Sequence, residues 1–184
     1  RQPPGAALMG NLQCVIFDCD GVLYRGKCAV PGGPEALARL RRAGLRLLFV
    51  TNAATASRAS LATKLTSLGY IGVKPEDCVT SASAAASFLA TAHPNVRRAY
   101  VVGGGSGLSN ELDLVGIESV GKADAGLGLQ AMMEQGWSAA ADGAGIGAVV
   151  VGMQSEGLGY APLAKAAAYA QNRSKVFVGE TSGI

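Results

Sequence analysis

The chain has 184 residues, which is enough for one domain or for one and a half. Its net charge of +3 is small and its basic residues are scattered, which argues against a nucleic-acid-binding surface. No window approaches the roughly 18 consecutive apolar residues of a membrane-spanning helix. Four cysteines without a CxxC pair, beside a single histidine, do not offer the ligand spacing of a zinc site.

Residues 1–10 are rich in proline, glycine and alanine and lack the long apolar stretch of a secretory signal. We expect this segment to be disordered or removed by processing. Because the chain does not begin with methionine, either a targeting segment has been removed or the chain is a fragment. The cysteines suggest no disulfide framework, which favours a reducing compartment: the cytoplasm or an organelle, either plastid or mitochondrion.

Apolar runs and helical patterns alternate along the chain. The runs that predict strands cover residues 12–17, 45–50, 79–80, 99–102, 146–152 and 175–178. The patterns that predict helices cover residues 34–43, 57–68, 83–92, 108–115, 125–135 and 162–172. Such alternation predicts an α/β fold with parallel sheets. Glycine becomes denser after about residue 93, so we predict a boundary between a module at 11–94 and a second at 95–184.

Two acidic residues follow the first predicted strand. Asp18 and Asp20 stand two positions apart at its end, and Gly21 turns the chain immediately behind them. Ligands of α/β sheets bind outside the carboxyl ends of the strands, so both carboxylates lie where a substrate would bind. Two acids this close repel each other unless a cation or a proton intervenes, and Mg²⁺ prefers oxygen ligands. One carboxylate could then attack phosphorus while the other moves protons; the alternative is a surface turn or a calcium-like loop.

A hydroxyl and an amide follow the second predicted strand. Thr51 and Asn52 are placed to donate hydrogen bonds to a phosphate oxygen. Taken alone this signal is weak, because such residues at strand ends are commonly turn formers or helix caps. Its position one helix after the acidic pair favours a shared site.

These motifs together resemble the haloacid dehalogenase superfamily. The resemblance rests on Phe-Asp-x-Asp-Gly-Val-Leu-Tyr-x-Gly from Phe17, on Pro-Gly near residue 31, and on Phe-Val-Thr-Asn from Phe49. The most similar branch is that of the phosphoglycolate and 4-nitrophenyl phosphatases. The resemblance implies a Rossmann-like parallel-sheet core, incomplete in this chain, followed by an α/β cap domain.

The same resemblance assigns roles to four residues. Asp18 would attack phosphorus and form an aspartyl-phosphate, and Asp20 would protonate the leaving alcohol and then activate water. Both would contribute to a Mg²⁺ site, Asp20 through its backbone carbonyl. Thr51 and Asn52 would hold the phosphoryl group of a small phosphorylated metabolite, over which the cap would close.

Two family elements are absent from the sequence. The family has a lysine, usually in Gly-Lys-Pro, and a Gly-Asp-x-x-x-x-Asp segment after the cap, and this chain ends before either. We therefore expect the first strand to be an exposed apolar edge in these residues, covered by a further part of the polypeptide, by another copy of the chain or by a larger assembly. Two hypotheses stay open: a Mg²⁺-dependent phosphomonoester hydrolase of phosphoglycolate phosphatase type, or a truncated, non-catalytic phosphatase-like subunit of a protein complex.

Two other glycine motifs are weaker candidates for phosphate binding. Residues 116–122 have the spacing of a P-loop but end in Ala123 where a hydroxyl is required, and no clear strand enters them. Gly103-Gly104-Gly105 follows a predicted strand but lacks the GxGxxG pattern, so we interpret it as a flexible cap loop.

Overall fold

The computed structural model describes residues 12–134, 145–153, 159–171 and 176–179. The segment 1–10, predicted to be disordered or processed, lies outside them. The strands are β1 (Cys14–Asp18), β2 (Tyr24–Arg25), β3 (Cys28–Ala29), β4 (Arg46–Thr51), β5 (Cys78–Thr80), β6 (Arg98–Val102), β7 (Glu118–Val120), β8 (Ala148–Val151) and β9 (Val176–Gly179). The α-helices are α1 (Gly33–Arg42), α2 (Arg58–Ser67), α3 (Ser81–Ala92), α4 (Gly105–Leu114), α5 (Leu129–Glu134) and α6 (Tyr160–Ala170).

The chain divides into two compact units. The first comprises the residues up to Thr51 together with Arg58–Val79, and the second comprises Asn52–Ser57 together with the residues from Thr80 onward. Each unit contains a sheet with helices, which confirms the predicted α/β class. The assignment of residues 11–94 and 95–184 to a core and a cap stays a prediction.

The sheet of the first unit has the order β1-β4-β5, and β1 runs parallel to β4. Side chains alternate along β4, so Leu47, Phe49 and Thr51 are buried on one face. This face carries the main apolar core of the unit, which also includes Leu61 and Leu65 of α2. The packing therefore fixes the position at which β4 ends.

Strand β1 lies at the edge of this sheet among the described residues. Its other face is poorly covered, since the side chain of Ile16 is 66% exposed. Among the described residues, β1 is therefore an edge strand with an exposed apolar side chain. Unpaired edges of this kind favour pairing with another chain segment.

A short hairpin follows the acidic motif and was absent from the elements predicted by sequence. Strand β2 pairs antiparallel with β3, with Arg25 opposite Cys28 across a two-residue turn. Gly26 has a φ of +59° at the first central position of that turn, a conformation that suits glycine and matches the twist of the two strands. Strands of two residues carry too little alternation to be recognised from the sequence.

The sheet of the second unit has the order β7-β6-β8-β9, and all its pairs are parallel. Strand β7 was not predicted; it lies inside residues 116–122, so the segment with P-loop spacing is partly a strand. Gly105 begins helix α4, which shortens the loop predicted there.

One predicted helix is shorter in the structure than its sequence pattern suggests. Residues 125–135 were predicted to be helical, but α5 begins only at Leu129, after a 3₁₀ turn at Lys122–Asp124. Gly126 has a φ of +85°, which a right-handed helix does not contain. No helix of the described ranges is both long and apolar enough to cross a membrane.

Gly107 in α4 lies against the backbone of the segment that follows β4. A Cβ atom at this position would meet the carbonyl group of Thr55 and would lie 2.7 Å from the carbonyl carbon of Ala56. We expect Gly107→Ala to lower the free energy of unfolding by about 1–3 kcal/mol, because the backbone must move to admit the methyl group. Urea unfolding of the full-length natural protein measures the change.

Gly128→Ala is the matched control. A Cβ atom at Gly128 would meet nothing within 4 Å, and its backbone does not require glycine. We expect a change below about 0.5 kcal/mol for this variant. Equal unfolding midpoints for the two variants would contradict the close approach of α4 to Thr55.

Candidate active site

The predicted site residues of the first unit lie at one edge of its sheet. Asp18 is the last residue of β1 and pairs in register with Val50, the residue before Thr51. The two strands are parallel, so their carboxyl ends lie side by side. Asp18 and Asp20 are exposed, whereas Thr51 is 3% exposed. The sheet therefore presents two accessible carboxylates beside a buried hydroxyl.

The carboxylate of Asp20 accepts hydrogen bonds from two hydroxyl groups. The hydroxyl of Tyr24 donates to Oδ2 over 3.1 Å, and Oγ1 of Thr51 donates to the same oxygen over 3.4 Å. The first is the shorter, and the second is at the long limit for such a bond. These contacts bring together Asp20 and Thr51, two residues 31 positions apart that the sequence assigned to one site.

The fourth predicted residue, Asn52, is placed differently. It is exposed, and its backbone oxygen accepts a hydrogen bond from Oγ of Ser81 over 3.1 Å. By its contacts it belongs to the second unit, whereas the acidic pair belongs to the first. A role for Asn52 in phosphate binding therefore stays a prediction that rests on its position after Thr51.

The turn behind the acidic pair is held by backbone hydrogen bonds. The amide of Leu23 donates to the carbonyl of Cys19 over 2.9 Å, and the amide of Gly21 donates to the carbonyl of Tyr24 over 2.8 Å. Gly21 has a φ of +83°, which explains the glycine after the second acid. The turn brings Tyr24 back beside Asp20, where the side chain of Tyr24 is 2% exposed.

Two buried groups next to the carboxylates hold their protons. Burial and then the charge of Asp18 raise the pKa of the Cys19 thiol to about 12. Burial and then the charge of Asp20, with the hydrogen bond to it, raise the pKa of Tyr24. Tyr24 therefore stays a neutral donor to Asp20 at physiological pH, and Cys19 stays a neutral thiol between the two acids.

Sequence reasoning missed two residues of this arrangement. Tyr24 lies inside the sequence motif that contains Asp18 and Asp20, but the motif alone does not predict a function for it. Lys64 lies outside every motif of the sequence. The ammonium of Lys64 lies 3.5 Å from the centroid of the Tyr24 ring, a cation–π contact. An aromatic residue shortly after an acidic strand end is a usable signal for Tyr24. The sequence carries none for Lys64, a lysine on an amphipathic helix 40 positions downstream.

The oxygen donors at this edge suit a hard divalent cation. Mg²⁺ is commonly held in proteins by one or two carboxylates, with water and substrate phosphate completing its shell. Asp18 offers one exposed carboxylate of this kind, and Asp20, two positions later, adds a backbone carbonyl oxygen. Among the described residues, no group of three or more His, Cys, Asp or Glu side chains could hold a metal ion by itself. The donors present therefore fit a Mg²⁺ site in part.

Comparison with known proteins gives a consistent result. The model of the family "Haloacid dehalogenase-like hydrolase" matches residues 15–118. The chain is 40% identical to glycerol-3-phosphate phosphatase of Gallus gallus, over 89% of this chain and 51% of that protein. It is 38% identical to phosphoglycolate phosphatase 1A, chloroplastic, of Arabidopsis thaliana, over 79% of this chain and 39% of that protein.

Solved structures resemble the fold as well. The crystal structure of glycerol phosphate phosphatase Rv1692 from Mycobacterium tuberculosis in complex with magnesium matches with a TM-score of 0.70 and 28% sequence identity, over 94% of this chain and 45% of that one. The observed α/β fold agrees with this structural match. The chain belongs to the haloacid dehalogenase-like hydrolases, and it spans about half the length or less of the curated relatives named above.

Proposed function

We propose that this protein is a Mg²⁺-dependent phosphomonoester hydrolase that acts through an aspartyl-phosphate on Asp18. The observation that carries the proposal is the hydrogen bond between Thr51 and Asp20, because it joins the ends of β1 and β4 into one site. The names of the relatives support the reaction class. They also support a small phosphorylated metabolite, such as phosphoglycolate or glycerol 3-phosphate, as the substrate.

In the first step, a carboxylate oxygen of Asp18 forms a bond to phosphorus. The bond between phosphorus and the leaving oxygen breaks, and its electron pair goes to that oxygen. Asp20 gives the oxygen a proton, so the alcohol leaves in neutral form. Splitting the reaction in this way replaces one difficult displacement by two easier ones.

In the second step, Asp20 takes a proton from a water molecule as the water oxygen attacks phosphorus. The bond between Asp18 and phosphorus breaks, which releases phosphate, leaves Asp18 as a carboxylate and returns Asp20 to its protonated form for the next turnover. Thr51 lies beside Asp20 and would donate a hydrogen bond to the phosphoryl group, with Asn52 following it in the chain. Such donors stabilise the charge of the transition state.

Mg²⁺ would be held by the carboxylate of Asp18 and the backbone carbonyl of Asp20. When bound, it offsets the repulsion between the acids and the phosphate. Both acids are exposed and therefore accessible to an ion and to a substrate. The compartment is part of the proposal: the Arabidopsis relative is named as chloroplastic, which makes a plastid one candidate beside the cytoplasm and the mitochondrion.

A second candidate is a phosphatase-like subunit that does not catalyse. The exposed edge of β1 favours it, because a strand with Ile16 66% exposed is suited to pairing with a partner. In this case the protein would be a homo-oligomer or part of a larger assembly. The intact acidic pair with its Thr51 contact favours the enzyme.

The test is release of phosphate by the full-length natural protein. The substrates are 2-phosphoglycolate, glycerol 3-phosphate and 4-nitrophenyl phosphate, each with Mg²⁺ or with EDTA. We expect removal of the metal to lower the rate by at least about 100-fold and its return to restore the rate. Acid-quenched protein should carry phosphate that hydroxylamine removes, as an acyl phosphate requires. If no substrate is hydrolysed and the protein elutes within a larger complex, the second candidate replaces the first.

A further inference from the structure

Two hydroxyl groups donate to one oxygen of Asp20. Tyr24 donates to Oδ2 over 3.1 Å, and Thr51 donates to the same atom over 3.4 Å. In the proposed reaction Thr51 must turn its hydroxyl to the phosphoryl group, which leaves Tyr24 to hold the carboxylate. We propose that Tyr24 is a positioning residue for Asp20, and that Lys64 acts through Tyr24 by fixing its ring. This inference rests on the proposed function.

Tyr24 is held in place by burial and by backbone hydrogen bonds, as a residue that positions Asp20 must be. Its side chain is 2% exposed, and its amide donates to the carbonyl of Cys19 over 3.2 Å. Strand β3 pairs with it on the other side, with Ala29 opposite Tyr24. The backbone of the turn and of the hairpin thus fixes the direction of the Tyr24 hydroxyl, which donates to the carboxylate of Asp20.

Lys64 holds the ring from the side of α2. Its ammonium lies 3.5 Å from the ring centroid, and the side chain of Lys64 is itself exposed. A cation over the face of a phenol attracts the ring and withdraws electron density, which strengthens the hydroxyl as a donor. The contact links helix α2 to Tyr24, and Tyr24 in turn donates to Asp20. Lys64 therefore acts on Asp20 only through Tyr24.

The expected consequence is tested in the first step of the reaction, because the second step, in which Asp20 activates water, is the same for every substrate. A bond to Oδ2 leaves Oδ1 directed away from Tyr24, so the carboxyl group of Asp20 reaches the leaving oxygen in one orientation. Without the bond, Asp20 samples other rotamers and proton transfer to the leaving oxygen slows. Attack by Asp18 on a substrate with a good leaving group does not need this proton. The loss should therefore depend on how much the leaving group needs a proton.

The experiment measures Tyr24→Phe in the full-length natural protein. The substrates are the better of glycerol 3-phosphate and 2-phosphoglycolate, which have poor leaving groups, and 4-nitrophenyl phosphate, which has a good one. We expect the single-turnover rate of leaving-group release, which reports the first step alone, to fall about tenfold for the alkyl phosphate and by less than about twofold for 4-nitrophenyl phosphate. Phenylalanine keeps the ring and its contact with Lys64.

Lys64→Gln tests the second part of the inference on an exposed residue whose replacement leaves the core intact. We expect a fall of about two- to threefold in the single-turnover rate for the alkyl phosphate only, and Lys64→Arg should restore the rate because it keeps the cation. If Tyr24→Phe fails to fold, this pair still decides the question.

Tyr100→Phe is the matched control. Tyr100 is a buried tyrosine of the second unit whose hydroxyl donates to a carboxylate oxygen of Asp124 over 2.8 Å. Loss of the Tyr100 hydroxyl should leave the ratio of the two single-turnover rates unchanged. Equal falls for both substrates in Tyr24→Phe, or no fall for either, would overturn the inference while Asp18 chemistry stands. A wild-type protein that hydrolyses neither substrate would overturn the proposed function first, and this inference with it.

Discussion

Asp18→Asn is expected to abolish phosphate release, with a fall in kcat of at least about 1000-fold for every substrate tested. The amide that replaces the carboxylate is a poor nucleophile and carries no charge for Mg²⁺. Because Asp18 forms the bond to phosphorus, a good leaving group cannot rescue the first step in this variant, whereas it can rescue that step when Asp20 is defective. Steady-state rates and acid-quenched phosphoprotein measure the result; the variant should carry no hydroxylamine-labile phosphate.

The variant should otherwise keep its fold. Asp18 is exposed at the end of β1, so the substitution removes no buried contact. Asp113→Asn, the same chemical change on the exposed surface of α4, is the matched control and should retain full activity. Activity in Asp18→Asn within about tenfold of the wild type would remove Asp18 from the mechanism and favour the non-catalytic subunit.

The position of Asp18, Asp20 and Thr51 at one end of the first sheet can be predicted from the sequence, because only the strand ends and the parallel strand direction determine it. The runs before Asp18 and Thr51 are apolar, and buried parallel strands place their carboxyl ends together. The contact between Asp20 and Thr51 follows from this geometry and from the register that sets Asp18 opposite Val50.

The residues that support Asp20 could not be predicted in the same way. Tyr24 reaches the carboxylate through a turn whose shape depends on backbone hydrogen bonds from Gly21 and Leu23. Lys64 meets the ring only because α2 packs on the same face of the sheet. Contacts of this kind depend on tertiary packing, for which a single sequence contains no periodic signal.

Boundaries in the second unit were less predictable because glycine is frequent there. Residues 125–135 show apolar spacing that suits a helix, but Gly126 adopts a positive φ and delays the helix to Leu129. Strand β7 has three residues, too few for alternation to be visible. In both places the backbone conformation overrides a short pattern of side chains.

Phe49→Ala is expected to cost about 3–5 kcal/mol of the free energy of unfolding. Phe49 is 0% exposed, and its ring stacks on Phe17 of the neighbouring strand with 6.2 Å between the centroids. Truncation removes this contact and leaves a cavity between β4 and α2, which the surrounding side chains fill only in part. A domain is commonly stable by about 5–15 kcal/mol, so the loss is a large fraction of the total. Urea unfolding of the full-length natural protein measures it.

Phe88→Ala provides the matched control, since the side chain of Phe88 on α3 is 48% exposed. Its main aromatic contact is with His93 at 5.4 Å between centroids, so we expect a cost below about 1 kcal/mol. Thr51 follows Phe49 on the same buried face of β4, so a shift of the strand should also weaken the contact of Thr51 with Asp20. We therefore expect Phe49→Ala to lower kcat even at urea concentrations at which the variant is still folded, whereas Phe88→Ala should leave kcat unchanged. Equal losses of stability in the two variants would mean that the face of β4 carrying Thr51 is not the packed core of this sheet.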